Sequence, residues 1–454
     1  MALTKPTVLS AAGTAVGLAL VFNPQSQPII SCFGFSVLGA VATFHMIPKM
    51  GPLFIKVGLS GKDLLKKEKK VLPETMGAVV GLVYMFCLFF FIPFMFYQYL
   101  VTETSGAGNR DEGLEITVDP GDPGTIGRTL TKFPHNKLAS YLSALLSLQS
   151  MFILGVADDL FDIRWRNKFF LPAIAAIPLM IVYYVDFGVT RIVIPHFIQP
   201  LFGNKSIDLG FLYYLYMAAV AIFCPNSINI YAGVNGLEVS QSLVIGLSIL
   251  ANDILYLARP HNLATESHLL SLYLVLPFLG VTCSLLYYNW WPAQAFVGDT
   301  YCYLAGMVYA VVGILGHFSK TILLFFLPQI FNFAYSVPQL FKIVECPRHR
   351  MPHFNEKTGL LEPSKAHFTK PPHPVVAFVL RTLGKLKLLG VYEEDGKLVA
   401  VSNMTLINLA LVLGGPMRED KLTTVLLSLQ LGVGLGALIA RHTIATLVFG
   451  YDNI

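Results

Sequence analysis

Long apolar stretches alternate with short polar ones along the chain, and their lengths decide its class. The stretches 75–102, 138–157, 209–237, 269–298 and 422–440 contain no charged residue. Most exceed the roughly 18–20 apolar residues that cross a bilayer core. The pattern predicts ten spans, near residues 28–48, 76–100, 138–157, 167–186, 209–226, 238–257, 268–290, 302–317, 321–341 and 422–450. Ahead of them, Asn23-Pro-Gln-Ser-Gln-Pro28 interrupts the apolar run with turn-forming residues. The piece before it, Thr7 to Phe22, is short for a span and follows a single lysine, so a signal peptide is one reading of it.

The fold class is therefore an all-α polytopic membrane protein. It has about ten transmembrane helices in contact with the lipid bilayer and a small α+β subdomain between the last two. The expected divisions are an N-terminal extension 1–27, a nine-helix core 28–341, a polar subdomain 342–421 and a last helix with the C-terminus, 422–454. Within the subdomain, Leu398–Leu413 is only about 16 residues long and is interrupted by Ser402 and Asn403, which favours packing over threading through lipid. Gly396–Val401, after the acidic turn Glu393-Glu-Asp395, reads as a strand.

Composition agrees: 54% of residues are hydrophobic and 13% charged, against roughly 25% charged in soluble domains. The net charge of +5 matters less than its distribution, and nothing in it supports a nucleic-acid partner. Placing the loops 49–75, 158–168, 227–238, 291–301 and 342–421 on one side gathers 22 of the 32 Lys and Arg there. By the positive-inside rule that side is cytoplasmic. The sequon Asn204-Lys-Ser206 then falls on the opposite, lumenal side and is a candidate glycosylation site. Six cysteines without a C-x-x-C pair suggest neither a zinc knuckle nor a disulfide framework.

Chemistry-bearing residues collect in the loops on the positive side. LGVADDLFD ends a span in Asp158, Asp159 and Asp162, where the helix dipole disfavours negative charge, so the carboxylates need a cation or strong donors. Arg164, Arg166 and Lys168 follow at once. The cluster is either an interfacial charge group that stops the span or a phosphate or metal site. In CPNSINIYAGVNGLE, Asn226 and Asn229 share a helix face and offer neutral oxygen ligands, or else satisfy a broken helix end. Asp299, before the eighth span, suits both an N-cap and a hard-cation ligand. Pro347-Arg348-His349-Arg350 opens the subdomain with two arginines suited to a pyrophosphate, although basic residues are expected there as topology determinants. The loop Gly61–Glu74 is a basic face for anionic lipid or a nucleotide-contacting segment.

Taken together and in order, LGVADD, RWRNK, NSINIYAGVNGLE, FVGDTYCYLAGM, VVGILGHFSKT and CPRHRMPHFN resemble the dolichol branch of the polyprenyl-phosphate sugar-1-phosphate transferases, within glycosyltransferase family 4. The resemblance runs from about residue 28 to 450. It implies transfer of N-acetylglucosamine 1-phosphate from UDP-N-acetylglucosamine to dolichyl phosphate, with Mg²⁺ as cofactor and inhibition by tunicamycin. It also implies a homodimer in the endoplasmic reticulum membrane with its active site facing the cytosol.

Carried over by position, Asp158, Asp159 and Lys168 resemble the catalytic group, and Asn229 and Asp299 the Mg²⁺ ligands. Lys62, Asp63, Leu64, Glu74, Gly233, Asn235, Phe296, Arg348, His349 and Arg350 resemble the UDP-N-acetylglucosamine contacts, with the match loosest at Lys62. Lys168 and the segment Ile222, Phe223, Cys224, Pro225, Asn226, Ser227, Ile228, Asn229 and Ile230 resemble the part that receives dolichyl phosphate. A histidine-rich motif marks the bacterial branch where this chain has Pro-Arg-His-Arg. A relative using another UDP-sugar or polyprenyl acceptor, and a secondary transporter, are the competing readings. Against the transporter, the polar motifs gather at one face and no inverted repeat is seen.

Overall fold

A computed structural model describes residues 5–23, 27–97, 134–259, 263–347 and 350–449. In chain order, α1 (Lys5–Val21) and α2 (Pro28–Lys56) precede a hairpin of β1 (Ser60–Lys62) and β2 (Val71–Pro73), then α3 (Gly77–Met95) and α4 (His135–Phe161). Three short helices follow, α5 (Trp165–Lys168), α6 (Leu171–Ala175) and α7 (Ile177–Asp186), then the hairpin β3 (Arg191–Val193) and β4 (Ser206–Asp208) with α8 (Gln199–Phe202) in its loop. The bundle is completed by α9 (Phe211–Ile230), α10 (Leu237–Leu257), α11 (Thr265–Asn289), α12 (Gly298–Leu315), α13 (Ser319–Phe325) and α14 (Leu327–Leu340). The polar subdomain holds β5 (His353–Asn355), β6 (Leu360–Glu362), β7 (Lys365–His367), α15 (Pro374–Lys385), β8 (Val391–Glu394), β9 (Lys397–Ser402) and α16 (Leu406–Gly414). The last helix, α17 (Glu419–Ile439), runs through a π-helical turn at Ala440–Ile444 into α18 (Ala445–Phe449).

Among the described residues, eight helices are long and apolar enough to cross a membrane, and α13 with α14 make a ninth as a pair bent by 70°. The span expected at 167–186 is instead broken into α5, α6 and α7. Pro172 and Pro178 lack the N–H that an unbroken helix would need at those positions. Pro328 likewise opens α14 after the bend. The first expected span, 28–48, continues to Lys56 despite Pro48 and Pro52. The piece before it is α1, which packs antiparallel against α2. Gly17 and Gly34 let the two backbones approach, since a methyl on Gly34 would lie 2.9 Å from the Gly17 carbonyl oxygen.

α12 is the axis of the bundle, buried at every residue from Thr300 to Leu315. Lipid tails give little hydrophobic drive for helix association, so close packing at small residues holds such helices together. A Cβ on Gly155 would lie 2.6 Å from the Thr300 Cα, and one on Gly306 2.2 Å from the Pro225 nitrogen. Glycine at these two positions brings α4 and α9 onto α12. All three helices converge at one end of the bundle, with the C-termini of α4 and α9 beside the N-terminus of α12.

Over that end lies the subdomain, whose three-stranded sheet has the order β7-β9-β8 and is covered by α15. The strand expected at 396–401 is β9. The apolar piece 398–413 is that strand followed by the nine-residue α16, packed against α14 and α17. Asn204 is exposed in the loop before β4. α9 separates this loop from the convergent end by 20 residues, or about 30 Å of helix.

Candidate active site

At the convergent end, Lys168 spans two carboxylates. Its Nζ lies 2.7 Å from Asp158 Oδ2 and 2.8 Å from Asp299 Oδ2. Asp158 is buried. Its Oδ2 also accepts from the Tyr303 hydroxyl at 2.9 Å, and its Oδ1 from the Ile163 amide at 3.0 Å. The cation that the α4 C-terminus calls for is therefore Lys168, brought back by the short α5.

Asp159, one residue on, points elsewhere. Its Oδ1 accepts from the Asp299 amide at 2.7 Å, and its Oδ2 from the Thr300 hydroxyl at 2.6 Å and the Thr300 amide at 3.2 Å. These amides belong to the unpaired first turn of α12. Asp159 thus caps α12 from a neighbouring helix, which leaves the Asp299 side chain free of that duty and turned to the cavity. No side chain of α12's own N-cap residue contributes. Gly298 makes room for this contact, because a Cβ there would sit 2.4 Å from Asp159 Oδ2. Asp162 is exposed and lies outside the cluster.

Two cavities open from this end. The larger, about 850 Å³, is lined by Lys168, Asn226, Asn229, Ile230, Asp299 and Tyr303 from the bundle. Gln339 of α14, Arg350 and Thr405 line its other side. The smaller, about 500 Å³, is lined by Lys62, Asp63, Leu64 and Glu74 from the first hairpin together with Gly233, Asn235, Glu238, Phe296 and Asp299. Asn229, Ala232, Asp299 and Met351 line both, so the cavities meet at the Asp299 carboxylate.

The smaller cavity is held by a charged network that bridges distant segments. Glu419, the first residue of α17, is only 4% exposed. One of its oxygens accepts from the Asn235 amide at 2.7 Å and the other pairs with Lys66. Lys66 also pairs with Asp63 at 3.2 Å, and the Asn235 side chain donates to Asp63 at 3.1 Å. Thr423 closes the ring by donating to the Asn235 carbonyl at 3.0 Å. Phe296 is tied to the hairpin through its amide, 2.8 Å from the Pro73 carbonyl. Burial, with Asp159 and Asp299 close by, raises the Glu74 carboxyl above its usual range.

In the larger cavity, Arg350 has its carbonyl bonded to the Asn408 side chain at 2.9 Å, while its buried Nη1 has no hydrogen-bond partner. Burial lowers its pKa, yet a guanidinium stays charged in proteins. An unpaired buried cationic nitrogen is costly unless an anion meets it. Arg348 and His349 lie outside the described residues.

Of the segment expected to receive the lipid phosphate, only Asn226, Asn229 and Ile230 reach the cavity. Cys224, Ser227 and Ile228 are buried, and Pro225 abuts Gly306 of α12. Ile222 accepts from the Asn226 side chain at 2.7 Å, and Phe223 packs edge-on against Phe326.

Tyr303, Lys66 and Glu419 escape the motif reading. Tyr303 had a signal, since it stands four residues after Asp299 and so on the same helical face. Glu419 had none: its partners are remote in sequence and the acid looks like any charge at a membrane boundary. Among the described residues no group of three or more His, Cys, Asp or Glu could hold a metal ion. The junction instead offers Asp299, with the Asn229 side chain bonded to it. One carboxylate and one amide oxygen suit a hard cation that keeps waters and substrate phosphates as its other ligands.

The model of glycosyl transferase family 4 matches residues 141–317. The chain is 56% identical over 446 residues to the UDP-N-acetylglucosamine–dolichyl-phosphate N-acetylglucosaminephosphotransferase of Schizosaccharomyces pombe, covering 97% of this chain and 98% of the relative. The protein of the same name from Saccharomyces cerevisiae is 54% identical, covering 95% of each chain. The one from Dictyostelium discoideum is 38% identical over 91% of this chain and 90% of its own length.

Proposed function

The chain belongs to the UDP-N-acetylglucosamine–dolichyl-phosphate N-acetylglucosaminephosphotransferases, and from that premise we infer that it transfers N-acetylglucosamine 1-phosphate from UDP-N-acetylglucosamine to dolichyl phosphate. The products are N-acetylglucosaminyl-diphosphodolichol and UMP.

The observation that carries our assignment of residues to this reaction is the meeting of the two cavities at Asp299. A donor in the smaller cavity and an acceptor in the larger would meet at the wall they share, where Asp299 is the charged residue among Asn229, Ala232, Asp299 and Met351. In this reading Gly233 and Phe296 flank the uracil, and Lys62, Asp63, Leu64, Glu74 and Asn235 contact the nucleotide. Arg350, with Arg348 and His349, meets the pyrophosphate and sugar. The acceptor enters beside Asn226, Asn229 and Ile230, with its phosphate drawn to Lys168.

An oxygen of the acceptor phosphate attacks the β-phosphorus of the donor. A new phosphorus–oxygen bond forms, and the bond to the bridging oxygen breaks as that oxygen leaves with UMP. The acceptor is ionised already, so the step asks for alignment and charge neutralisation more than for a base. Lys168 and Arg350 supply fixed positive charge on two sides. Mg²⁺, held by Asp299 and Asn229, would add charge neutralisation on the phosphate oxygens. Asp158 is committed to Lys168, Tyr303 and Ile163, and Asp159 to the first turn of α12. These commitments support direct displacement over a covalent aspartyl intermediate, with Asp158 orienting Lys168 and Asp159 holding Asp299 in place.

The same reading gives a homodimer in the endoplasmic reticulum membrane, with both cavities open to the cytosol. The excess of Lys and Arg in the loops at that end supports the orientation. The test is transfer by purified protein from UDP-N-acetylglucosamine labelled in the sugar to dolichyl phosphate. We expect UMP and lipid-linked label in equal amounts, dependent on Mg²⁺ and blocked by tunicamycin. Label carried to another polyprenyl phosphate but not to dolichyl phosphate, or trapped on Asp158 or Asp159, would overturn the reading.

A further inference from the structure

The helix α15 has more apolar surface than its subdomain uses. At 100° per residue, Val376, Leu380 and Leu383 fall on one side and pack into the small core with Val344, Leu389 and Val401. A second apolar stripe, Val375, Phe378, Val379 and Leu386, runs along an adjacent side and is exposed, Phe378 by 70% and Leu386 by 62%. Arg381 and Lys385 border that stripe on its far side, and Lys387 follows in the next turn. A helix that only closed a soluble subdomain would carry polar residues on its outer face.

What lies beside the stripe identifies its partner. The Leu388 carbonyl, just past α15, accepts from the hydroxyl of Tyr335 at 2.5 Å. Tyr335 belongs to α14, within the bent membrane pair, and stacks on Phe331 one turn earlier. Leu327 and Phe331 on α14, and Phe341 just past its end, are exposed, as expected of a lipid-facing side. The turn after α15 is thus tied, through Leu388 and Tyr335, to the helix that carries these exposed apolar residues.

We propose that α15 and the turn after it lie on the bilayer surface at the end of the bundle that carries the cavities, as an interfacial helix. Phe378, Val379 and Leu386 enter the boundary between headgroups and acyl chains, and Lys385 and Lys387 reach the lipid phosphates. The partner is lipid, not a second protein: the stripe's helix is anchored to a membrane helix with an exposed apolar side, and its cationic border complements phosphate. The consequence for the reaction is mechanical. α15 and Val344 share one small core, so docking the helix fixes the height above the membrane of Val344 and of Cys346 and Pro347, which line the larger cavity.

The test is photo-crosslinking of the full chain in lipid nanodiscs, with p-benzoylphenylalanine at Phe378 in one sample and at Lys397 in another. Phe378 is replaced by another aromatic residue, and Lys397 is an exposed position at the start of β9, on the sheet and not on the stripe. We expect a lipid adduct by mass at 378 and none at 397. A chain–chain adduct at 378 would overturn the proposal in favour of a second copy. An absence of lipid adduct at 378, or equal lipid adducts at both positions, would overturn it too.

Discussion

The charged cluster at the floor of the larger cavity comes from helix ends packed inside the bundle: Asp158 at the end of α4, Asp299 at the start of α12 and Lys168 just after α4. The network that braces the smaller takes Asp63 and Lys66 from a loop, Asn235 from the segment between two helices and Glu419 from the last helix. In the first, backbone packing at Gly155, Gly298 and Gly306 decides where the charges stand. In the second, the charges hold the backbones together. The family model covers residues 141–317, which include Asp158, Lys168 and Asp299 but leave Arg350 of the larger cavity, and Asp63, Lys66 and Glu419, outside. The comparison separates a charged floor built within the matched region from a brace that draws on segments beyond it.

Substitutions can break this contrast. Asp299→Ala removes the one carboxylate common to both cavities and should lower kcat by about 10³-fold, at the upper end for loss of one charge-stabilising group. Transfer assays on purified, monodisperse protein would show it, and retained activity would remove Asp299 from the junction chemistry. Glu419→Gln keeps an acceptor for the Asn235 amide but loses the ion pair with Lys66. A charge-assisted hydrogen bond is worth about 1.5–3 kcal/mol, so KM for UDP-N-acetylglucosamine should rise about tenfold with kcat nearly constant. A fall in kcat at unchanged KM would place the effect of Glu419 on the chemical step and dissolve the contrast.

The smallest effect concerns pH. The Glu74 carboxyl is raised by burial and by Asp159 and Asp299, so it takes up a proton at a higher pH than an ordinary glutamate. Its ionised form is held against that bias at neutral pH. Protonation therefore favours the folded protein as pH falls through the raised pKa, while any contact that needs the carboxylate is lost over the same interval. KM for the nucleotide sugar should climb on mild acidification, and Glu74→Gln should flatten that climb. An identical pH profile in the variant would remove Glu74 from nucleotide contact.

Much of the scaffold was legible in the chain. The windows 75–102, 138–157, 209–237, 269–298 and 422–440 all fall largely within membrane helices, because their length and lack of charge leave no soluble alternative. The segment 167–186 was harder, since hydropathy does not register that Pro172 and Pro178 break the backbone ladder. Residues that the fold brings to the candidate site were legible where a motif clustered them, as with Asp158, Asn229 and Asp299. Lys66 and Glu419 were not, for each looks like a boundary charge until the fold pairs them across 353 residues.

By itself the sequence determined the membrane class and the residue types available at one face, since these depend on local length and charge. Only the tertiary structure decided which of two adjacent aspartates meets Lys168 and which caps α12. Neighbours on a helix point about 100° apart, and the side that faces a cavity depends on which helix packs where. That packing is set at Gly155 and Gly306, whose missing side chains have meaning only against the backbones they admit.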